Sequence, residues 1–337
     1  MNRIHSLYAY FRRKYKCRIQ KLPLDANATC PNRDGTVATY GCTFCNAKGS
    51  GTGLAKIMPS LREQAHHWQQ HYNRADMKNI AYLQSFSNTH CSPERLQQIL
   101  KECNEIPNLL GIAIGTRADC LDDEKIAILA DIDLPEVWLE IGVQSIHTRT
   151  LERINRGHLF DIVPDIVRKA SEQGIFICLH LMAGLPGESA EDFLSTLHTV
   201  LSLPIHALKI HNTFVNSGTV LEQEYKRGDY TPLTQEEYIE LMCRAIPSIP
   251  SHIILQRIIA DPEKTLVAPT WAGDKNKLTR LLPDTFEERG IWQGCDADVP
   301  NKLPLWFSSI EELPHALHED YMQEIEELHS IHPWLVS

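Results

Sequence analysis

No stretch of this 337-residue chain is apolar for long enough to span a bilayer. The longest such run, Ile175 to Leu185, is interrupted by His180, and a spanning helix needs about 20 apolar residues. An opening run of basic residues followed by an apolar segment, the mark of a secretory signal, is also missing. The ten cysteines are scattered and not spaced as a disulfide framework. A reducing, cytoplasmic setting is therefore expected, and there a local cysteine cluster points to metal binding or catalysis. Positive charge is scarce as well. The formal net charge of -10 argues against non-specific nucleic-acid binding, which depends on neutralising phosphates. The charge is uneven, however. Residues 1–24 carry seven Lys/Arg and no acid, while the tail from Leu305 carries seven acids and no Lys/Arg. The basic segment is expected to be a solvated helix face or a contact for an anionic substrate. No internal repeat and no low-complexity tract is present.

What is abundant is alternation. Short apolar runs, several of them β-branched, occur at 18–24, 79–86, 110–116, 137–143, 175–182 and 207–213, as buried parallel strands require. Helical periodicity fills the gaps at 61–72, 93–105, 122–131, 147–174 in two pieces, and 190–203. Ser92 before Pro93-Glu94, and Asp122 before Asp123-Glu124, are helix start signals. Six strand–helix units mean an α/β fold with a parallel sheet, either doubly wound or curled into a barrel. Functional groups then belong in the loops after the strands. Past residue 217 the rhythm changes, with helices expected at 235–246 and 274–288 and a strand at 253–259. Residues 1–217 are thus read as the main domain, and 218–337 as an α/β extension packed on it.

The loop after the first strand, "CPNRDGTVATYGCTFCNAKGSG", is long for a compact domain, and such loops are usually functional. It holds Cys30, Cys42 and Cys45. One reading is a zinc site completed by His66, His67 or His71, the last two being one helical turn apart. The other is a [4Fe–4S] cluster on three thiolates. Clusters usually take four cysteines, so an iron without a protein ligand points to catalysis.

The compact triad with Phe44 directly before the last cysteine resembles the radical S-adenosylmethionine superfamily. The usual superfamily spacing is C-x3-C-x2-C, whereas here the first gap is eleven residues. Long first gaps resemble the Elongator catalytic subunit. The stretch "PLDANATCPNRDGTVATYGCTFC" is most similar to the YhcC-like bacterial family, as are "IGTRADCL", "EIGVQSIHTRTLERINRGH", "HLMAGLPGES", "LKIHNTFVNSGT", "LVAPTWAGDKNKL" and "RGIWQG". The resemblance covers about residues 15–295 and leaves the tail unmatched.

That resemblance implies a partial (β/α)6 TIM-like barrel with a C-terminal α/β extension. It further implies a [4Fe–4S] cluster held by Cys30, Cys42 and Cys45, and S-adenosylmethionine as the second cofactor. Reductive cleavage would yield a 5′-deoxyadenosyl radical that abstracts hydrogen from a substrate in a water-poor cavity. Around the cofactor it implies Phe44 before the last cysteine, and Gln84 and Ser85 in "QSFSNTH"; Thr116, ending the third strand, is a further candidate at the chamber mouth. Gln144 of "GVQS" would meet the ribose, and Arg156 of "NRG" the methionine carboxylate. His180 stands where the related oxygen-independent coproporphyrinogen oxidases have an aspartate. The superfamily's Gly-Gly-Glu-like turn is replaced by "QSFS". The expected partner is a one-electron donor such as a flavodoxin or ferredoxin. The substrate is a small molecule or tRNA, and no membrane is involved.

Lys209 and His211 alternate on the sixth strand and share a face. If that face is the lumen they line the substrate chamber and are catalytic candidates; otherwise helices cover them and carboxylates cap them. Arg117 is a candidate at the chamber mouth, and Trp271 with Lys275 a candidate lid. "KGSGTG" reads as a mobile surround of the cluster and not as a nucleotide cradle. Cys91, Cys103 and Cys120 fall on different elements and read as core residues more than as a second cluster. Two alternative functions stand: a tRNA-modifying radical enzyme, and a zinc-stabilised binding protein without catalysis.

Overall fold

The computed structural model describes residues 3–46, 49, 51–72, 77–262, 264–301, 303 and 314–336. Helix α1 (Leu7–Tyr15) precedes a sheet whose first six strands stand side by side in chain order. They are β1 (Ile19–Leu24), β2 (Lys78–Leu83), β3 (Leu109–Thr116), β4 (Glu136–Gln144), β5 (Phe176–Ala183) and β6 (Ala207–Asn212), all parallel. Between them run α2 (Leu61–Tyr72), α3 (Pro93–Asn104), α4 (Asp123–Ala130), the pair α5 (Thr148–Arg153) and α6 (Val163–Glu172), and α7 (Ala190–Leu201). The expected start signals do their work. The Ser92 side chain accepts from the Arg95 amide, and Asp122 accepts from that of Lys125, each satisfying an amide the helix leaves open.

After β6 come β7 (Val215–Asn216), α8 (Val220–Arg227), α9 (Gln235–Ala245) and β8 (Ile254–Arg257). β8 pairs in parallel with β6, so the sheet has seven strands, one more than the six strand–helix units expected. The strand read as part of the extension belongs to the barrel sheet. β9 (Leu266–Ala268) returns antiparallel to β7, followed by α10 (Lys275–Glu288) and α11 (His318–Ile331).

The sheet is curled, and its side chains show it. Lys21 on β1 reaches Glu140 on β4 at 2.6 Å and Gln256 on β8 at 2.7 Å, so the two outermost strands lie within one lysine's span. The free edge of β8 is covered by the chain before α1, where Leu255 donates its amide to the His5 carbonyl at 2.7 Å. Strand residues alternate between two apolar masses. Outward residues such as Leu139, Ile141, Ile177, Leu179, Leu208 and Ile210 meet the helices in one core. Inward residues Ile80, Leu110, Trp138, Cys178, Ala207 and Ile254 form a second core with Tyr10 and Phe11 of α1 and Tyr321 and Ile325 of α11.

This second core plugs the N-terminal end of the lumen and explains the basic segment. Glu136 is fully buried there. It accepts hydrogen bonds from Tyr10 (2.8 Å), Tyr15 (2.5 Å), Lys14 (3.1 Å) and the Trp138 indole (2.7 Å). Arg13 donates to Tyr321 of α11 at 2.5 Å. The basic helix and the acidic tail helix thus close the bottom of the barrel together, away from the loops where chemistry is expected. A buried carboxylate is tolerated only while its partners hold it. Replacing Glu136 by alanine strands Lys14 and three donors; equilibrium denaturation is expected to show a loss of about 3 kcal/mol, and limited proteolysis should release α1 first. Tyr15→Phe, which removes one of the four bonds, is expected to cost about 1 kcal/mol.

Candidate active site

At the C-terminal ends of the strands a cavity of about 810 Å³ opens. Cys30, Cys42 and Cys45 lie on one side of its wall, and Tyr82, Glu140, His180 and His211 belong to its deep lining.

The cysteine loop is held by its own backbone and by one asparagine. The Arg33 and Asp34 amides turn back onto the Cys30 carbonyl at 2.7 and 3.1 Å. The Gly41 amide donates to the Asn32 carbonyl at 2.7 Å, and the Cys45 amide to that of Cys42 at 2.9 Å. The bond between residues 32 and 41 pinches off residues 33–40 as a side loop. Only Pro31, Asn32 and Gly41 then separate Cys30 from Cys42 along the hydrogen-bonded path, which is the short spacing of the superfamily motif with a loop inserted. Gly41 has φ +78°, and a Cβ there would meet the Arg33 guanidinium at 2.8 Å. The Asn32 side chain, fully buried, donates to the carbonyls of Asn155 (2.6 Å) and Arg156 (2.9 Å) and approaches Cys42 Sγ at 3.7 Å.

Two guanidinium groups face the sulfurs. Arg117 Nη1 lies 3.8 Å from Cys30 Sγ and Arg156 Nη1 4.0 Å from Cys42 Sγ. Arg117 is fixed by Asp119 through contacts of 2.8 and 2.6 Å. Among the described residues no three His, Cys, Asp or Glu side chains converge on a single metal ion. A cubane cluster makes a different demand, one thiolate per iron. Three thiols on a cavity wall, two of them with a guanidinium or N–H donor at the sulfur, fit that group and its negative charge. His66, His67 and His71 are exposed on α2, where His67 and His71 pack edge-on against Trp68, and they are not part of the cavity lining.

Arg156 comes from the loop after α5. Its Nη2 donates to the Gly142 carbonyl at 2.5 Å, while its buried Nε has no partner. Gly142 makes this approach possible, since a Cβ would meet Arg156 Nη2 at 3.1 Å and the Gln144 amide nitrogen at 2.7 Å. The strand bulges between Gly142 and Gln144, and Gln144 takes φ +71°. That left-handed conformation in a non-glycine costs on the order of 1–3 kcal/mol and concentrates at functional sites. Phe86, at φ +57°, lines the cavity beside Gln84 and carries the Arg33 guanidinium 5.8 Å over its ring. Phe44 and Thr116 also line the cavity. Thr116 Oγ1 is bonded to Ser87 and Thr89 at 3.0 and 2.5 Å.

Two expected residues lie behind the wall. Ser85 is buried and its Oγ has no partner. Lys209 does face the lumen, yet Glu140 and Tyr82 cap its ammonium, so the two readings of that face combine: lumen-facing and carboxylate-capped. Glu140 is the residue that sequence reasoning missed. Besides Lys209 and Lys21 it holds His180 Nε2 at 3.2 Å. Burial alone would raise its pKa, but Lys209 and Lys21 overcome this and hold the carboxyl well below the usual range. Burial lowers Lys209 to about 8 and His180 to about 4, and pushes His211 well down. The signal was present: Glu136, Glu140 and Gln144 recur every four residues in one strand and so share a face.

The remaining candidates disperse. Cys103 is buried on α3, Cys91 is half-buried beside the Asn88 carbonyl, and Cys120 is buried after β3. Trp271 is an anchor, its indole donating to the Leu233 carbonyl at 2.9 Å. The Lys275 side chain lies outside the described residues, as do Lys48 and Ser50 of "KGSGTG".

If residues 33–40 are an insertion into a short motif, excising them to join Asn32 to Gly41 is expected to leave cluster assembly intact. Iron per chain after anaerobic reconstitution should match the parent, and loss of iron would refute the reading. Asn32→Ala, which breaks the bonds that seat the loop, is expected to lower iron retention on desalting.

A model of the radical SAM superfamily matches residues 34–200, and one of the radical SAM C-terminal domain matches 205–287. An uncharacterised protein of Bacillus subtilis, YtqA, is 35% identical over 296 residues, covering 87% of this chain and 92% of its own. YhcC of Escherichia coli is 34% identical, covering 83% and 91%. The solved structure of archaeal Elp3 from Methanocaldococcus infernus, with an N-terminal deletion, has a TM-score of 0.63 at 20% identity, over 82% of this chain and 65% of its own, and so shares the fold. Among the described residues no helix is long and apolar enough to cross a membrane. The chain belongs to the radical S-adenosylmethionine superfamily, within the family of YhcC and YtqA, whose cofactors are a [4Fe–4S] cluster and S-adenosylmethionine.

Proposed function

We propose that this chain cleaves S-adenosylmethionine reductively on a cluster held by Cys30, Cys42 and Cys45, and that the resulting 5′-deoxyadenosyl radical takes a hydrogen atom from a substrate deeper in the lumen. The observation that carries this reading is the set of three thiols on the wall of a deep cavity, two of them facing guanidinium groups. When bound, the cluster supplies the electron and one iron without a protein ligand.

The chain's own residues bind, orient and exclude water. Arg156, with a buried Nε that lacks a partner, is suited to a carboxylate, because a fixed guanidinium gives charge-assisted bonds that an ammonium cannot copy. Gln144 offers its side chain from a strained turn that aims it into the cavity. Gln84, Phe44 and Thr116 complete the cofactor side. His180, kept neutral by burial, is a hydrogen-bond partner where an aspartate would be an acceptor only. Lys209 acts through Glu140 as a positioning residue, and His211 faces the reacting region. An external one-electron donor such as a flavodoxin or ferredoxin completes the system, and ten free thiols suit a reducing cytoplasm. A small substrate is favoured over tRNA, since Arg13 and Lys14 of the basic segment are engaged at the closed end of the barrel and the net charge is -10.

Anaerobic reconstitution with iron and sulfide is expected to give the thiolate-to-iron absorbance. Dithionite should then convert S-adenosylmethionine to methionine and 5′-deoxyadenosine. Cys42→Ala is expected to abolish both signals, and unchanged cleavage would refute its role. Arg156→Lys is expected to keep the absorbance but weaken S-adenosylmethionine binding about tenfold, measured by equilibrium titration of the oxidised holoenzyme.

A further inference from the structure

We propose that the deep end of the cavity is a subsite for a single carboxylate of a small substrate, received by Arg257, His211 and Asn212 above the Glu140 layer.

The argument begins with charge. Three cations meet in this part of the lumen: Lys21 and Lys209, both on Glu140, and Arg257, paired with Asp261 at 3.0 Å. Among the described residues two carboxylates answer three cations, leaving a surplus of one positive charge. The other titratable groups facing the layer do not offset it. Burial keeps His180 and His211 neutral and holds the Tyr82 phenol and the Cys178 thiol in their protonated forms. Lys264, exposed at the rim of the same cavity, is solvated and does not enter this count. Surplus charge in a desolvated lumen is costly unless a counter-charge arrives. One unmatched cation calls for a monoanion; a phosphate dianion would overshoot.

A second, independent observation points to the same spot. Asn212 is only 3% exposed and lines the cavity, and its Oδ1 already accepts from the Ala260 amide at 3.1 Å. Its Nδ2 has no partner. His211 Nε2 is likewise buried without a partner, its ring 5.3 Å from that of His180. Buried polar groups are normally satisfied, so the Asn212 amide and the His211 imidazole each leave a hydrogen-bonding position open in the cavity lining. A carboxylate supplies both the acceptors and the missing negative charge. S-adenosylmethionine offers only neutral ribose and adenine acceptors here and no spare negative charge, because its one carboxylate is assigned above to Arg156.

The proposal rests on the radical-enzyme reading, and the test separates the two. Oxidised, reconstituted holoenzyme saturated with S-adenosylmethionine is titrated with butanoate, butanamide and butyl phosphate by saturation-transfer NMR. Butanoate is expected to bind about tenfold more tightly than butanamide and more tightly than butyl phosphate. Arg257→Gln should bring the butanoate-to-butanamide ratio to about one, Asn212→Ala should lower it, and Arg257→Lys should largely keep it, with thermal melts confirming that each variant folds. Equal binding of butanoate and butanamide, tighter binding of the phosphate, or a ratio unchanged in Arg257→Gln would overturn the subsite. Dithionite is added to the same wild-type samples. Cleavage of S-adenosylmethionine without a carboxylate preference refutes the subsite alone, whereas no cleavage refutes the functional reading and the subsite with it.

Discussion

The barrel is organised around one buried carboxylate. Glu140, fully inaccessible on the central strand, binds Lys21 of β1, His180 of β5 and Lys209 of β6, and through those lysines is tied to Gln256 of β8 and Tyr82 of β2. A single side chain thereby links six of the seven strands across the lumen. Hydrogen bonds along the sheet fix neighbours only; they do not bring β1 near β8. The polar layer does, and it imposes a geometric condition, since an uncompensated ion in that position would cost several kcal/mol. The same layer sets the depth of the active site. Below it lies the apolar plug of Trp138, Tyr10 and Tyr321, and above it the cavity that opens to the cysteines.

Function is built on the rim of this layer by local departures from regular structure. β4 leaves the ladder at Gly142 so that a carbonyl can orient Arg156 and a glutamine can adopt a left-handed turn. The cysteine loop leaves the compact spacing usual in the superfamily by extruding eight residues at a single backbone bond, between Gly41 and Asn32. Both departures are stabilised by buried side-chain hydrogen bonds to backbone, from Asn32 in one case and Arg156 in the other. Strain at such points persists because the surrounding structure over-determines it. The two ends of the chain, opposite in charge, close the barrel from the far side and leave the catalytic side open to substrate.

Much of this was legible from the residues alone. The six strands followed from β-branched apolar runs, and α2 from its apolar period, because buried parallel strands and amphipathic helices leave patterns of fixed spacing. The cysteine triad stood out as three thiols in one long loop after the first strand, and the fold sets that loop on the cavity wall. β8 was recognised as a strand but not as a member of the barrel, because membership depends on pairing with β6, a non-local contact that no period encodes. Lys209 showed the same limit: alternation placed it with His211 on one face, but not what capped it.

Periodicity by itself determined an α/β fold with a parallel sheet, because strand and helix periods are local. The cysteine spacing left a zinc site and a cluster both open, and the partial barrel, the cofactors and the metal ligands to be tested came from the motifs' resemblance to a known family. The tertiary structure alone decided that Glu140 gathers six strands and that the basic N-terminus seals the barrel floor. It alone decided that the eleven-residue gap closes to a short one, and that His211, Asn212 and Arg257 line the same cavity. Each of those facts depends on residues far apart in the chain meeting across a lumen, and burial turns such a meeting into a requirement for hydrogen bonds and compensating charge.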